Sequence, residues 1–595
     1  GVSSNVDGTY QLAVNNLKGV LVFSSVSTES VEVAISGRTV IDVVLKKSSK
    51  SMQEVVVTSA YGQKRKMVTG STTVIGDKGA GIPVNLNQTL QGRVAGIQIT
   101  NANGNGFYAT SSDGYFDGER YEVIHENKFL SVTSEPLSTF SIDVDAAGYS
   151  NVRRFLNNGQ LPPADAVRIE EMVNYFKYDY PQPKGNDPFS INTEISDAPW
   201  NKDHKLVMIG LQGKKIPVEN LPASNLVFLI DVSGSMQGPE RLGLVKASMR
   251  MLVEQLREQD KVAIVVYAGA AGLVLPSTSG EEKETILEAI DKLEAGGSTA
   301  GGAGIKLAYK TARDYFIKGG NNRVILCTDG DFNVGVTSTD QIKDMVKRER
   351  ETGVTLSTLG FGQGNFNDAM MEQIADVGNG NYSYIDSVSE ARKVLVDELS
   401  STFNTVAKDV KVQIEFNPQQ VSEYRLIGYE NRQLNREDFN NDKVDAGDVG
   451  AGKSVTAIYE ITPKGAASSV DPLRYQNEKQ ASASKVVPEF AFLKIRYKQP
   501  HATSSTLLTQ PLMLPKSITP FTSATNDHRF ATAVAGFGQL LRQSSNMGNL
   551  SYGQVLQIAQ QAKGADKMGT RAEFIQLVQN VQALTQKTDL HAQAE

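Results

Sequence analysis

The stretch "NLVFLIDVSGSMQG", Asn225 to Gly238, decides the fold. Mostly apolar residues, Asn225 to Ile230, run into Asp231, and Ser233 and Ser235 follow at alternate positions. An unbroken apolar run of this kind reads as a strand covered on both faces. Asp, Ser and Gly favour turns, so a plain turn is one reading of its end. Half of an oxygen-lined metal site is the other. The rest of the chain has to choose between them.

Outward from this point, strands and helices alternate as far as about Phe403. The strands read as "NLVFLI", "KVAIVVYA", "RVILCTD", "TLSTLGFG" and "NYSYID". Between them, "PERLGLVKASMRMLVEQLRE" places Leu242, Val245, Met249, Leu252 and Leu256 at helical spacing. The alternation predicts a doubly wound α/β domain whose ligands bind at the carboxyl ends of the strands. Asp231 stands at one such end. "GGSTAGG", Gly296 to Gly302, puts Thr299 on a glycine-rich loop ahead of a helix, and "VILCTDGD" puts Asp329 at another strand end. Oxygen donors from three loops are thereby expected on one rim. Asp331 reads as a turn residue.

Asp-x-Ser-x-Ser, a later loop Thr and a strand-end Asp resemble the metal-ion-dependent adhesion site of von Willebrand factor A domains in order, spacing and intervening elements. The resemblance implies that Ser233, Ser235 and Thr299 give hydroxyl oxygens to Mg²⁺, with Mn²⁺ or Ca²⁺ as alternatives. Asp231 and Asp329 would act largely through waters that they hold and orient. Residual positive charge on the ion would then attract a carboxylate from a partner protein. That logic produces adhesion rather than catalysis.

The whole chain has 595 residues, enough for about three or four domains. It is 40% hydrophobic and 21% charged, a globular composition. A net charge of -6, from 60 basic and 66 acidic residues, argues against nucleic acid as the main partner. The longest apolar region, Lys261 to Leu275, is too short for a membrane helix and has Gly in its middle, so it reads as two strands joined by a turn. Cys327 is the single cysteine, which excludes an internal disulfide. The sequence starts at Gly1 without Met or a signal peptide, as a processed or an incomplete chain would.

On either side of the α/β domain, "TFSIDVDAAGYSNVRRFLNNGQLPPADAVRIEEMVNYF" and "YENRQLNREDFNNDKVDAGDVGAGKSVTAIYEI" resemble the flanks of the bacterial YfbK-like subfamily, over roughly Tyr121 to the C-terminus. This resemblance implies that the A domain is inserted in a shell built from both flanks. Helical stretches are expected near Tyr149–Asn157, Arg168–Phe176, His528–Gln543 and Thr570–Thr585, and β-runs from Asp409 to Leu514. Further upstream, "GVSSNVDGTYQL", "LVFSSVSTESVEVAI" and "DVVL" resemble a carboxypeptidase-regulatory-like β-sandwich, common at the N-termini of outer-membrane proteins of Bacteroidota. The first strands of that family are missing here. Either they precede this sequence or another chain completes the sheet. Gln53 to Thr100 resembles the TonB box and early plug of SusC-like transporters, with a decayed linker as the alternative. Asn101 to Gly118 reads as a flexible linker.

The expected architecture is multidomain. It comprises an N-terminal β-sandwich (1–52), a plug-like segment and linker (53–118), an N-terminal flank (119–222), a central doubly wound von Willebrand factor A domain (223–403) and a β-rich, helical C-terminal part (404–595). Three motifs are set aside. "GDVGAGKS", Gly447 to Ser454, fits a phosphate-loop pattern but has a β-like run after it instead of a helix. "DFNNDKVDAGD" opens like a calcium loop but has Lys443 and Val449 where Gly and Glu are needed. The histidines, at 125, 204, 501, 528 and 591, lie outside the A domain with no pair at ligand spacing. Trp200 reads as a core residue.

Three functions follow as expectations. The first is a non-enzymatic, extracytoplasmic protein associated with the outer membrane, periplasmic or on the cell surface. It would bind a partner protein through Mg²⁺ and dock to a SusC-like barrel or an outer-membrane assembly complex. The second is a structural subunit of a surface assembly, with the metal only supporting the fold. The third is an accessory to an ATPase carried by another chain.

Overall fold

The computed structural model describes residues 119–297, 301–330, 339–364, 366–398, 401, 404–444, 446–468, 488–500, 502–515 and 517–592, with 115–116 and parts of 20–44 before them. The chain divides into two units, Gly1–Thr110 and Ser111–Glu595. In the first, Val20–Phe23 pairs antiparallel with Val31–Ala34, Val20 opposite Ala34 and Phe23 opposite Val31. Both fall in the region expected to form the N-terminal β-sandwich (1–52). The remainder of the expected sandwich falls largely outside the described residues, and the plug-like segment Gln53–Thr100 entirely so.

In the second unit an α/β domain has six strands, numbered here within that domain. They are β1 (Ser224–Asp231), β2 (Lys261–Tyr267), β3 (Ala271–Ser279), β4 (Asn321–Thr328), β5 (Thr355–Phe361) and β6 (Tyr382–Ile385). Their order is β3-β2-β1-β4-β5-β6, with β3 antiparallel to β2 and the other pairs parallel. This is the doubly wound arrangement, and its strand order reverses at β1 and β4.

Strand β1 shows why its residues had to be apolar throughout. Leu226, Phe228 and Ile230 face one side, in a cluster with Val245, Met249 and Leu252 of helix Leu244–Gln255 and Ile286 of helix Lys283–Asp291. Val227 and Leu229 face the other, with Ile305 and Tyr309 of helix Gly301–Asp314 and Ile342 of helix Thr339–Arg350. Each such burial contributes about 1.5–3 kcal/mol. The helix expected from Pro239 begins only at Leu244. Pro239–Gly243 forms a separate turn in which Arg241 is non-helical, at φ -119° and ψ -106°. Leu256 has already left the helix, at ψ 141°. Asp260 turns the chain there, accepting hydrogen bonds from the backbone N–H groups of Arg257 and Ser224 at 2.9 Å each.

Around this domain the two flanks build a shell of two sheets. One runs Val449–Gly450, Thr405–Phe416, Glu489–Lys498, Ser505–Met513, with Leu137–Ser141 also paired to Thr405–Phe416. The other runs Leu130–Ser131, Val421–Ile427, Ser454–Pro463, Asn201–Gly213, Phe189–Ala198. Phe140, Ile209, Leu211, Val412, Ile414, Tyr459 and Leu493 are buried in one cluster shared by the two sheets. Alternate residues of the second sheet, Leu206, Met208 and Ile458, join a helical layer that also buries Tyr149, Met172, Trp200, Phe530 and Phe574. Helices Ala147–Asn157, Ile169–Asn174, Asn526–Leu541 and Thr570–Ala592 were anticipated within a few residues, apart from the extra length of the last. Helix Tyr552–Gln561 was not. The phosphate-loop look-alike Gly447–Ser454 runs into strand Ser454–Pro463. Among the described residues no helix is long and apolar enough to cross a membrane.

Candidate metal centre

Asp231 closes β1 at the point where the strand order reverses, between the ends of β2 and β4. Its side chain is fully buried. Oδ1 accepts a hydrogen bond from the Ser233 backbone N–H at 2.9 Å. Oδ2 accepts from the Tyr267 hydroxyl and the Thr328 hydroxyl, both at 3.1 Å. The flanking strands set these partners, since Tyr267 lies level with Asp231 in the sheet register. Burial pushes the Asp231 carboxyl above its ordinary range, and the neighbouring Asp329 charge adds to the effect.

Beyond Asp231 the chain enters a short 3₁₀ turn, Gly234–Met236. That turn is stitched to the glycine-rich loop: the Gly234 N–H donates to the Gly297 carbonyl at 3.0 Å, and the Gly296 N–H to the Val232 carbonyl at 2.7 Å. The Ser233 and Ser235 hydroxyl oxygens end up 2.9 Å apart. Asp329, 6% exposed, follows β4. Gly330 next to it has φ +82°, and an added Cβ would lie 2.7 Å from the Asn367 backbone nitrogen. Four of the expected ligands are thus described at the reversal point. Thr299 lies outside the described residues, between the placed Gly297 and Gly301, and so does Asp331.

The donor set can be tested against a small hard cation. Oxygen ligands at about 2.0–2.1 Å in octahedral geometry have neighbouring oxygens about 2.9 Å apart. The Ser233 and Ser235 hydroxyls are hydrogen-bonded to each other at 2.9 Å, and that contact holds the two oxygens at about this edge length. Two carboxylates nearby supply charge, and all the donors are oxygens. Among the described residues no three His, Cys, Asp or Glu side chains gather as a rival metal site. The residues fit Mg²⁺ or Mn²⁺.

One residue here escaped the sequence reading. Arg241 Nη1 donates to the Ser235 carbonyl at 2.7 Å and Nη2 to the Gln363 carbonyl at 2.8 Å. Its Nε lies 4.0 Å from Asp329 Oδ2. The sequence shows Arg241 only as one polar position in a helical period, and the break at Pro239–Gly243 is what turns it to the rim. His204 and His528 are engaged elsewhere: His204 binds Glu460 at 2.6 Å and His528 binds Ser196 at 2.8 Å, both in the shell. Cavities of about 510 and 670 Å³ lie where the α/β domain meets the shell, lined in part by Arg323 or Asn381 from the amino-terminal ends of β4 and β6, and include none of the expected ligands.

The chain is similar to known proteins over most of its length. Residues 225–398 match a family model described as "von Willebrand factor type A domain". Residues 115–208 match one described as "von Willebrand factor" and residues 401–584 one described as "Uncharacterized protein YfbK, C-terminal". The chain is 52% identical over 474 residues to YfbK of Escherichia coli (strain K12), covering 78% of this chain and 81% of that protein. It is 30% identical over 198 residues to the Synechocystis protein sll0103, covering 33% and 45% respectively. Among solved structures, a von Willebrand factor type A protein from Catenulispora acidiphila aligns at 16% identity with a TM-score of 0.36, over 65% of this chain and 89% of that one.

Proposed function

The chain belongs to the YfbK family, and from that premise we propose that it is a non-enzymatic, metal-dependent protein-binding subunit of an outer-membrane or cell-surface complex. Asp231, Ser233, Ser235, Thr299 and Asp329 hold Mg²⁺, and a partner protein offers it a carboxylate. The ion supplies a Lewis-acidic contact for that carboxylate. This chain's residues fix its position: the serines as direct oxygen donors, the aspartates as acceptors for its waters. The observation that carries the reading is the pair of serine hydroxyls at octahedral-edge spacing beside buried Asp231, at the reversal point of the sheet.

The N-terminal unit supports a second, structural reading. Among its described residues, Val20–Phe23 and Val31–Ala34 form a two-stranded sheet. Such a pair is marginal alone and its open edges accept added strands. Docking to a SusC-like barrel or an outer-membrane assembly complex would use this unit, with the metal serving only the fold.

Titration of the full chain with Mn²⁺ tests the first reading. Wild type binds one ion per chain, and Asp231→Asn and Ser235→Ala lose it. Retained affinity in the Asp231 variant sinks the site. Capture of a partner from solubilised envelope in Mg²⁺ and again in EDTA separates the readings. Capture that survives chelation and needs the first sixty residues favours strand addition.

A further inference from the structure

Two carboxylates formally cancel a dication, so a net positive charge that draws in a third carboxylate needs another source. The structure has a candidate beside the centre, and we propose that Arg241 makes the loaded centre selective for an anionic partner. This inference rests on the metal-binding reading above.

Arg241 is held as a fixed charge. Its two terminal nitrogens donate to backbone carbonyls of Ser235 and Gln363, which come from different loops. Carbonyls are neutral, so these hydrogen bonds fix the guanidinium without cancelling its charge. Its Nε is buried, has no hydrogen-bond acceptor among the described residues, and stands 4.0 Å from Asp329 Oδ2. The side chain as a whole is 26% exposed, open enough to meet a partner at the rim. The space it occupies is reserved: Gly362 has φ +76°, and an added Cβ there would lie 2.5 Å from Arg241 Nε. Arg241 itself is held at a backbone conformation outside the helical region, in a turn between Pro239 and Gly243.

The charges then add up differently. Asp231 and Asp329 give two negative charges, a divalent ion two positive, and Arg241 one more. The loaded centre carries about one net positive charge from these described groups, which a single carboxylate neutralises. Without Arg241 the sum is zero. A lysine would keep the charge but cannot donate to both carbonyls from a rigid fork.

The test uses the full chain loaded with Mn²⁺, with acetyl-Gly-Asp-Gly-amide as probe and acetyl-Gly-Asn-Gly-amide as control. Water-proton relaxation reports displacement of metal-bound water, and Mn²⁺ affinity is measured separately on the metal-free protein. Wild type is expected to respond saturably to the Asp peptide and not to the Asn peptide. Arg241→Gln is expected to bind Mn²⁺ as tightly or more tightly, because a repelling cation is gone, and to bind the Asp peptide about tenfold or more weakly, about 1.4 kcal/mol. Arg241→Lys is expected to recover most of that loss. If Arg241→Gln binds the Asp peptide like wild type, or wild type binds Mn²⁺ but not the Asp peptide, the inference fails and the metal site stands. If Arg241→Gln loses Mn²⁺ as Asp231→Asn does, Arg241 is only a brace for the Ser235 loop and the inference fails. If wild type binds no Mn²⁺, the underlying reading fails and takes the inference with it.

Discussion

Asp231 carries a cost at the scale of one residue. A fully buried carboxylate next to a second one, Asp329, is stabilised without metal only by Ser233, Tyr267 and Thr328 among its described donors. Asparagine can keep all three contacts. Its oxygen still accepts from the Ser233 N–H, and the two hydroxyls can rotate to accept from its amide. Asp231→Asn is therefore expected to stabilise the metal-free protein by on the order of 1–2 kcal/mol, as removal of functional strain commonly does. Mg²⁺ should raise the Tm of wild type, by an amount equivalent to about 2.7 kcal/mol at a hundred times its Kd. It should leave the variant unmoved. Calorimetric scans with and without Mg²⁺ check both expectations. A lower Tm for the metal-free variant would mean that Asp231 is chiefly structural.

At the scale of elements, the α/β domain is fastened to its shell through helix Asp368–Val377. Arg168 of the N-terminal flank pairs with Glu171, with Asp368 at 2.5 Å and with Glu372 at 3.8 Å. Arg432 of the C-terminal flank pairs with Asp143, Asp145, Glu372 and Asp376 at 2.7–3.6 Å. Two guanidiniums thus serve six carboxylates, and burial outweighs them, pushing Glu372 up to about 8 and Asp376 up to about 7. These groups hold protons in the folded state that the unfolded chain releases nearer pH 4–5. Their contribution to stability is thus fully present below about pH 4 and is lost as pH rises through 7 and 8. The urea midpoint is expected to fall across that window, and Glu372→Gln to flatten the fall. Arg168→Met, which strips a guanidinium from three buried carboxylates, should cost about 3–5 kcal/mol. None of this seam was legible in the sequence, because nothing local says that Arg168 and Asp368 meet. The strands were legible, since Leu226–Ile230 must be apolar to lie between two layers and Ser454–Pro463 is rich in β-branched and aromatic residues. Helix Tyr552–Gln561 went unread because it fully buries only Val555 and Ala559, too few for a visible period. Its Ser551–Gln554 capping box was the available signal. That Asp231, Ser233, Ser235 and Asp329 share one rim could be read because adjacent loops follow from the α/β pattern. Arg241 could not, because its role comes from a break in a helix that the period predicts to be continuous.

For the whole molecule, the decisive feature is that the two flanks are interleaved. Strand Thr405–Phe416 lies between Leu137–Ser141 of the first flank and Glu489–Lys498 of the second. Strand Ser454–Pro463 lies between Val421–Ile427 and Asn201–Gly213, which again come from opposite flanks. Each sheet therefore draws on segments separated in sequence by the entire α/β domain. The flank before it presents strands Asn201–Gly213 and Leu137–Ser141 with unpaired edges until the flank after it arrives, and unpaired edges invite aggregation. The α/β domain has a continuous core of its own on both faces of its sheet, so it can form while the shell waits. A chain ending at Phe403 is accordingly expected to collect in the insoluble fraction. Co-expression with residues 404–595 should recover a soluble one-to-one complex, read by size-exclusion chromatography, with the Mg²⁺-dependent rise in Tm restored. If the chain ending at Phe403 is instead a soluble monomer with native-like near-ultraviolet circular dichroism, the N-terminal flank folds unaided. The shell would then be two separate domains in contact, and closing it around the α/β domain would not be a condition for folding.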